Sequence, residues 1–176
     1  MGEPPLPGMG RDILPGGPPP ELTAQRADIV VFACGDPAHA EHESVAIAAC
    51  TSLPAEVLER VDIKLVGPMR PEYLRDLAPA THVIVADTVI GTPGELTVIP
   101  LIEMSGLEEP LAMSSTTDPP LDEVVAMAQL LRDEPLRGNL VALNVESVDL
   151  NDPPDPVAVS AMRAAVAQQV AEVDAG

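Results

Sequence analysis

Two short, strongly apolar stretches constrain this chain more than any other feature: Ile29-Val-Val-Phe-Ala-Cys34, and Val83-Ile-Val-Ala86 set between His82 and Asp87. Strands with one face in water alternate apolar and polar residues, whereas strands covered on both faces read as continuous apolar runs. The second run, extended to Val89, is expected at the centre of a sheet with helices on both sides. It places an acid, Asp87, at its carboxyl end.

Strand-like and helix-like segments alternate along the rest of the chain, the pattern of a layered α/β domain. Helical composition covers Glu43 to Leu53, a helical turn Ala55 to Arg60, and a short helix Pro71 to Leu77, opening on a proline suited to a first turn. Strands are expected at Asp62–Val66, Glu95–Ile102 and Asn139–Val145. Leu121, Val124, Val125, Ala128 and Leu131 recur at helical spacing, with Asp118 as a candidate cap. Val159, Met162, Val166 and Val170 mark one face of a terminal helix over Pro156–Val173. The expectation is one three-layer α/β/α domain over residues 27–176, with a mostly parallel or mixed sheet of about five strands. Residues 1–26, rich in Pro and Gly, are expected to form a disordered arm.

Composition narrows the function classes. The 176 residues carry a formal net charge of −19, and Lys64 is the only lysine. A nucleic-acid backbone or an anionic membrane surface would be repelled, so neither is an expected partner. No apolar run approaches the roughly 20 residues of a membrane span, and the first residues lack a basic stretch followed by an apolar one, so a cytoplasmic protein is expected. Hydrophobic residues reach 46% while aromatics are 1%, Phe32 and Tyr73 alone, so the core is aliphatic. Cys34 and Cys50 sit in apolar contexts without C-x-x-C spacing and are expected as buried free thiols.

No P-loop, dinucleotide-binding glycine motif or nucleophile elbow is present, so no catalytic residue is assigned from motifs. Polar residues at strand ends remain, where open α/β sheets gather ligands. His39, Glu41, His42 and Glu43 follow the first strand; these side chains bind transition metals or move protons, and equally suit a solvated loop beside a helix N-terminus. Asp87 needs a hydrogen bond, ion pair or metal if buried, and also suits a turn cap before Gly91-Thr-Pro-Gly94. Ser114-Ser-Thr-Thr-Asp118 has the composition of a helix cap.

In their order along residues 28–172 these segments resemble the hydrogenase-maturation endopeptidases, which process the large subunit of nickel–iron hydrogenases. Gly35-Asp36 is similar to the family's strand-ending Gly-Asn. With one extra loop residue, His42-Glu43-Ser44-Val45-Ala46-Ile47 is similar to its acidic helix start. Ile84-Val-Ala-Asp87 with Thr92-Pro-Gly94 resembles its Val-Asp-Ala strand and Pro-Gly turn. Ser115-Thr-Thr117 before Leu121 stands where the family has Ser-Ser-His, and Val141-Ala-Leu-Asn-Val-Glu146-Ser147 resembles its late strand and Pro-Glu-Ser stretch.

The resemblance implies a monomer acting on a hydrogenase large-subunit precursor. It would recognise nickel carried by that substrate and remove the C-terminal extension. Metal-recognising acids would be Glu43 and Asp87, and Thr117 occupies the position of the family's histidine. His42 or Asp118 would then supply the third donor; an ungapped alignment places His42 itself at the family's Glu position. The other reading is a non-catalytic relative that binds hydrogenase subunits or assembly factors.

Overall fold

A computed structural model describes residues 28–35, 44–104, 120–146 and 153–176. The order is β1 (Ile29–Cys34), α1 (Val45–Thr51), α2 (Ala55–Leu58), β2 (Val61–Val66), α3 (Pro71–Arg75), β3 (His82–Ile90), β4 (Leu96–Pro100), α4 (Leu101–Met104), α5 (Leu121–Leu130), β5 (Arg137–Val145) and α6 (Pro156–Ala175). The five strands form one mixed sheet in the order β2-β1-β3-β5-β4, so the expected central strand is central. All neighbours are parallel except β4, which is antiparallel to β5.

The apolar runs are strands because both their faces are buried. Ile29, Val31 and Ala33 of β1, with Ile84 and Ala86 of β3 and Val141 and Leu143 of β5, pack beneath α1, α2 and α6. Val30, Phe32, Cys34, Val83, Val85, Leu140 and Ala142 point the other way, into α3, α4 and α5. This is the expected three-layer arrangement. Close contact between β3 and β5 depends on Gly138, at φ +133°, where a Cβ would lie 1.7 Å from the Val83 carbonyl oxygen.

Several boundaries differ from the sequence reading. β3 ends at Ile90, one residue past the expected Val89, and Asp87 lies within the strand rather than closing it, because β5 pairs with β3 along its whole length. β4 stops at Pro100, and Leu101 opens α4 where strand was expected. Leu131, expected in the core, follows the end of α5 and is exposed. The residue at the N-cap of α5 is Pro120, which has no side-chain cap of its own, and Asp118 lies outside the described residues. The arm over residues 1–26 lies outside the described residues.

The Gly91–Glu95 turn does not form a hairpin between neighbours, since β5 lies between β3 and β4. It crosses the end of β5, held by Gly91 N–H on the Val145 carbonyl (3.0 Å) and Gly94 N–H on the Asn144 carbonyl (3.0 Å). Gly94 sits at φ +84°, a left-handed conformation that favours glycine there.

Candidate functional site

Chain direction reverses across the sheet between β1 and β3. β1 leads through α1 to β2 on one side, and β2 leads through α3 to β3 on the other. At such a switch point the loops leaving the two strands diverge and leave a crevice at their carboxyl ends. Asp87 lies there, one residue beyond the last β1–β3 pair, Ala33 with Ala86.

Alternation along β3 puts the Asp87 side chain on the face of Val83 and Val85, towards α3 and α5. Asp87 is 1% exposed. Its Oδ1 accepts the N–H of Thr88 at 2.8 Å, one of the contacts that offset the cost of burying a carboxylate.

Cys34 shares that face. Burial, and secondarily the negative charge of Asp87, push its thiol well above the ordinary range, so it stays protonated. Cys50, beneath the opposite layer, is pushed up by burial to about 12. Both are buried free cysteines, as expected from sequence.

On the β1 side the chain passes from Gly35 to Ser44, which starts α1. The Ser44 hydroxyl donates to the Cys34 carbonyl at 2.7 Å and accepts the Ile47 N–H at 3.3 Å. One side chain thus ties the end of β1 to the first turn of α1. Gly35 is needed because a Cβ there would lie 2.5 Å from the Ser44 Cβ. The signal for this cap in the sequence is a serine immediately before the first helical residue, three positions ahead of the amide it accepts.

Of the candidate metal-recognising residues, the structure describes Asp87 alone, buried just beyond the last β1–β3 pair. Glu43 and His42 immediately precede Ser44 in the chain, and Thr117 and Asp118 shortly precede Pro120, but all four lie outside the described residues. Among the described residues no three His, Cys, Asp or Glu side chains group as a metal site.

His82 is the one histidine among the described residues, and it opens β3. Five residues of strand, roughly 16 Å, separate it from Asp87, so it supplies no imidazole to the crevice. Its pKa is lowered by partial burial and then by Arg137, its partner on β5. A hollow bordered by Asp28, Arg60, Asp62 and Thr81 also opens at the amino ends of the strands, away from Asp87.

No protein-family profile and no curated protein sequence matches the chain. Solved structures do. The hydrogenase maturating endopeptidase HybD from Escherichia coli is similar at TM-score 0.57 and 23% identity, over 85% of this chain and 94% of that one. The nickel–iron hydrogenase maturation protease HycI from Thermococcus kodakarensis is similar at TM-score 0.57 and 16% identity, over 87% and 96%. The HybD maturation protease of the same archaeon is similar at TM-score 0.53 and 14% identity, over 85% and 99%. The chain therefore has the α/β fold of the hydrogenase maturation proteases, as the order of its motifs implied. None of the described helices is long and apolar enough to cross a membrane.

Proposed function

We propose that this protein is a maturation endopeptidase which recognises nickel in a hydrogenase large-subunit precursor and removes the precursor's C-terminal extension. The observation that carries the reading is Asp87: a fully buried carboxylate at the switch point of a sheet with the maturation-protease fold. A carboxylate oxygen is a suitable donor to a divalent metal, and anchoring in the central strand fixes its position. In this reading Glu43 is the second acid, His42 or Asp118 supplies the third donor, and nickel arrives with the substrate. Metal recognition would then license cleavage by positioning the precursor.

One observation favours a second reading. Thr117 stands where the resemblance places histidine, and its neutral hydroxyl is a weak substitute for imidazole on nickel. A relative that had lost this donor would bind the precursor or an assembly factor without cutting it.

Incubation of the purified protein with a nickel-loaded large-subunit precursor, followed by intact mass measurement, separates the two. Shortening of the precursor by wild type but not by Asp87→Asn is expected. An intact precursor that still co-purifies with wild type and Asp87→Asn alike would replace the protease reading with the binding one.

A further inference from the structure

Among the described residues β4 is the last strand on its side of the sheet, and its outer edge has a specific chemistry. The Asn144 N–H bonds the Glu95 carbonyl at 2.8 Å, which fixes the antiparallel hydrogen-bond phase. With Leu96 opposite Leu143 and Thr97 opposite Ala142, Thr97 and Ile99 direct their backbone groups to β5. Leu96 and Val98 direct N–H and C=O away from the sheet. Pro100 is tolerated because its position points outward too.

The side chains beside this edge are apolar. Leu96 and Val98 lie on the face of Leu143 and Val141, where α6 packs on β3 and β5, yet they remain 39% and 40% exposed. Ile90, on the same face of β3, is 50% exposed. Sheet edges are commonly protected by a lysine, a proline, a bulge or an inward charge, and here Pro100 blocks only the end of the edge. Here Leu-Thr-Val-Ile carries no charge at all.

The electrostatic surroundings select the occupant. From Asp76 to Leu131 the chain has no lysine or arginine, while Glu95 precedes β4, Glu103 follows it in α4, and Glu146 follows β5. A second copy of a chain with net charge −19 would meet like charge at this edge. Position adds a link to the crevice: Asp87, Ala142 and Thr97 form one row across β3, β5 and β4. A strand added outside β4 would run roughly 14 Å from Asp87, three strand spacings away.

We propose that the outer edge of β4 receives an extended segment of a partner protein as a sixth strand. The segment carries alternating apolar residues that cover Leu96 and Val98, and basic residues at its ends that meet Glu95 and Glu103. Strand addition of this kind takes affinity from main-chain hydrogen bonds and specificity from alternate side chains. Identification of the partner as the hydrogenase precursor rests on the function proposed above; the edge itself does not.

The test uses the full chain and two labelled synthetic peptides with the same alternating Val-Thr centre, one flanked by lysines and the other by glutamates. The lysine-flanked peptide is expected to bind, and to slow amide exchange at Leu96 and Val98 while leaving Thr97 and Ile99, already bonded to β5, unchanged. Val98→Pro removes one outward donor and Leu96→Lys repels the basic ends; each should weaken binding at least tenfold with the far-ultraviolet spectrum retained. Equal binding of both peptides, no binding of either, or binding indifferent to both substitutions would overturn the proposal. So would a concentration-dependent dimer that Val98→Pro dissolves, since the edge would then belong to a second copy. Precursor processing is read separately: a precursor cleaved equally by wild type and Val98→Pro leaves the protease reading standing and removes the precursor as occupant of this edge.

Discussion

The Ser44 hydroxyl donates to the Cys34 carbonyl at 2.7 Å, closing the passage from the last residue of β1 to the N-cap of α1. The same oxygen accepts the Ile47 amide, so a 6% exposed side chain serves two buried backbone groups. Ser44→Ala removes both bonds. Loss of a cap costs about 0.5–2 kcal/mol, and an unsatisfied buried carbonyl adds to it, so the upper part of that range is expected in urea unfolding. Gly35→Ala should destabilise by a different route, since its Cβ would press on Ser44 and Ile47.

Phe32 and Tyr73 are the only aromatic residues of the chain, and they stack with ring centroids 6.3 Å apart and planes 12° from parallel. Phe32 is fully buried beneath α3, while Tyr73 is 39% exposed. Phe32→Ala is therefore expected to cost about 3–5 kcal/mol, and Tyr73→Ala distinctly less. A double-mutant cycle should leave a coupling of about 0.5–1.5 kcal/mol for the ring pair. With no tryptophan present, the fluorescence of Tyr73 reports the transition directly.

Strand and layer structure was readable wherever burial imposed a pattern. Both faces of β1 and β3 are covered, so their sequences are uninterrupted apolar runs; Met162, Val166 and Val170 of α6 face one layer, so they recur at helical spacing. The end of β3 was readable to within one residue, at Val89, but the place of Asp87 inside the strand was not, because pairing with β5 carries the strand past it. The place of β4 was equally hidden. A Pro-Gly turn suggests neighbouring strands, but a later strand, β5, occupies the space between. Asp87 itself was legible as a candidate because a carboxylate within an apolar run is chemically conspicuous. Its closeness to Cys34 came only from the register of two strands distant in sequence.

Asp87→Asn separates the carboxylate's charge from its structural bond. The amide oxygen can still accept the Thr88 N–H, so the variant should keep the fold, whereas Asp87→Ala loses a buried bond to a carboxylate, a loss of about 1.5–3 kcal/mol, and should be the less stable of the two. Under the proposed function both variants should lose recognition of a nickel-loaded precursor. Calorimetry with cadmium or nickel alone checks the metal claim directly: heat of binding unchanged in Asp87→Asn would remove Asp87 from it.

His82 makes stability depend on pH on the acidic side. Its folded pKa lies below the ordinary value near 6.5 because burial, and then Arg137, disfavour the imidazolium. Between the folded and unfolded values the unfolded chain binds more protons, so stability rises with pH through this window. The penalty is absent above the unfolded value and complete below the folded one. Chemical denaturation from pH 7.5 down to 5 should show this loss, and His82→Gln should flatten that part of the profile. A profile identical to wild type would show that other groups produce the slope.

The thiols offer a check on the packing of both layers. Cys34 lies under α3 and α5 and Cys50 under the opposite layer, each buried and each held protonated well above neutral pH. The thiolate is the reacting species, so burial suppresses reaction twice, by excluding the reagent and by keeping the proton on sulfur. Neither cysteine of the native protein should react with a thiol-specific disulfide reagent at pH 8, and both should react at once in guanidinium chloride. Because the Asp87 charge also raises the Cys34 pKa, Asp87→Asn should leave Cys50 unchanged and shift only Cys34, downward. Labelling followed by peptide mass analysis distinguishes the two cysteines. Rapid native labelling of Cys34 would mean that the α3 and α5 layer does not seal the carboxyl end of β1.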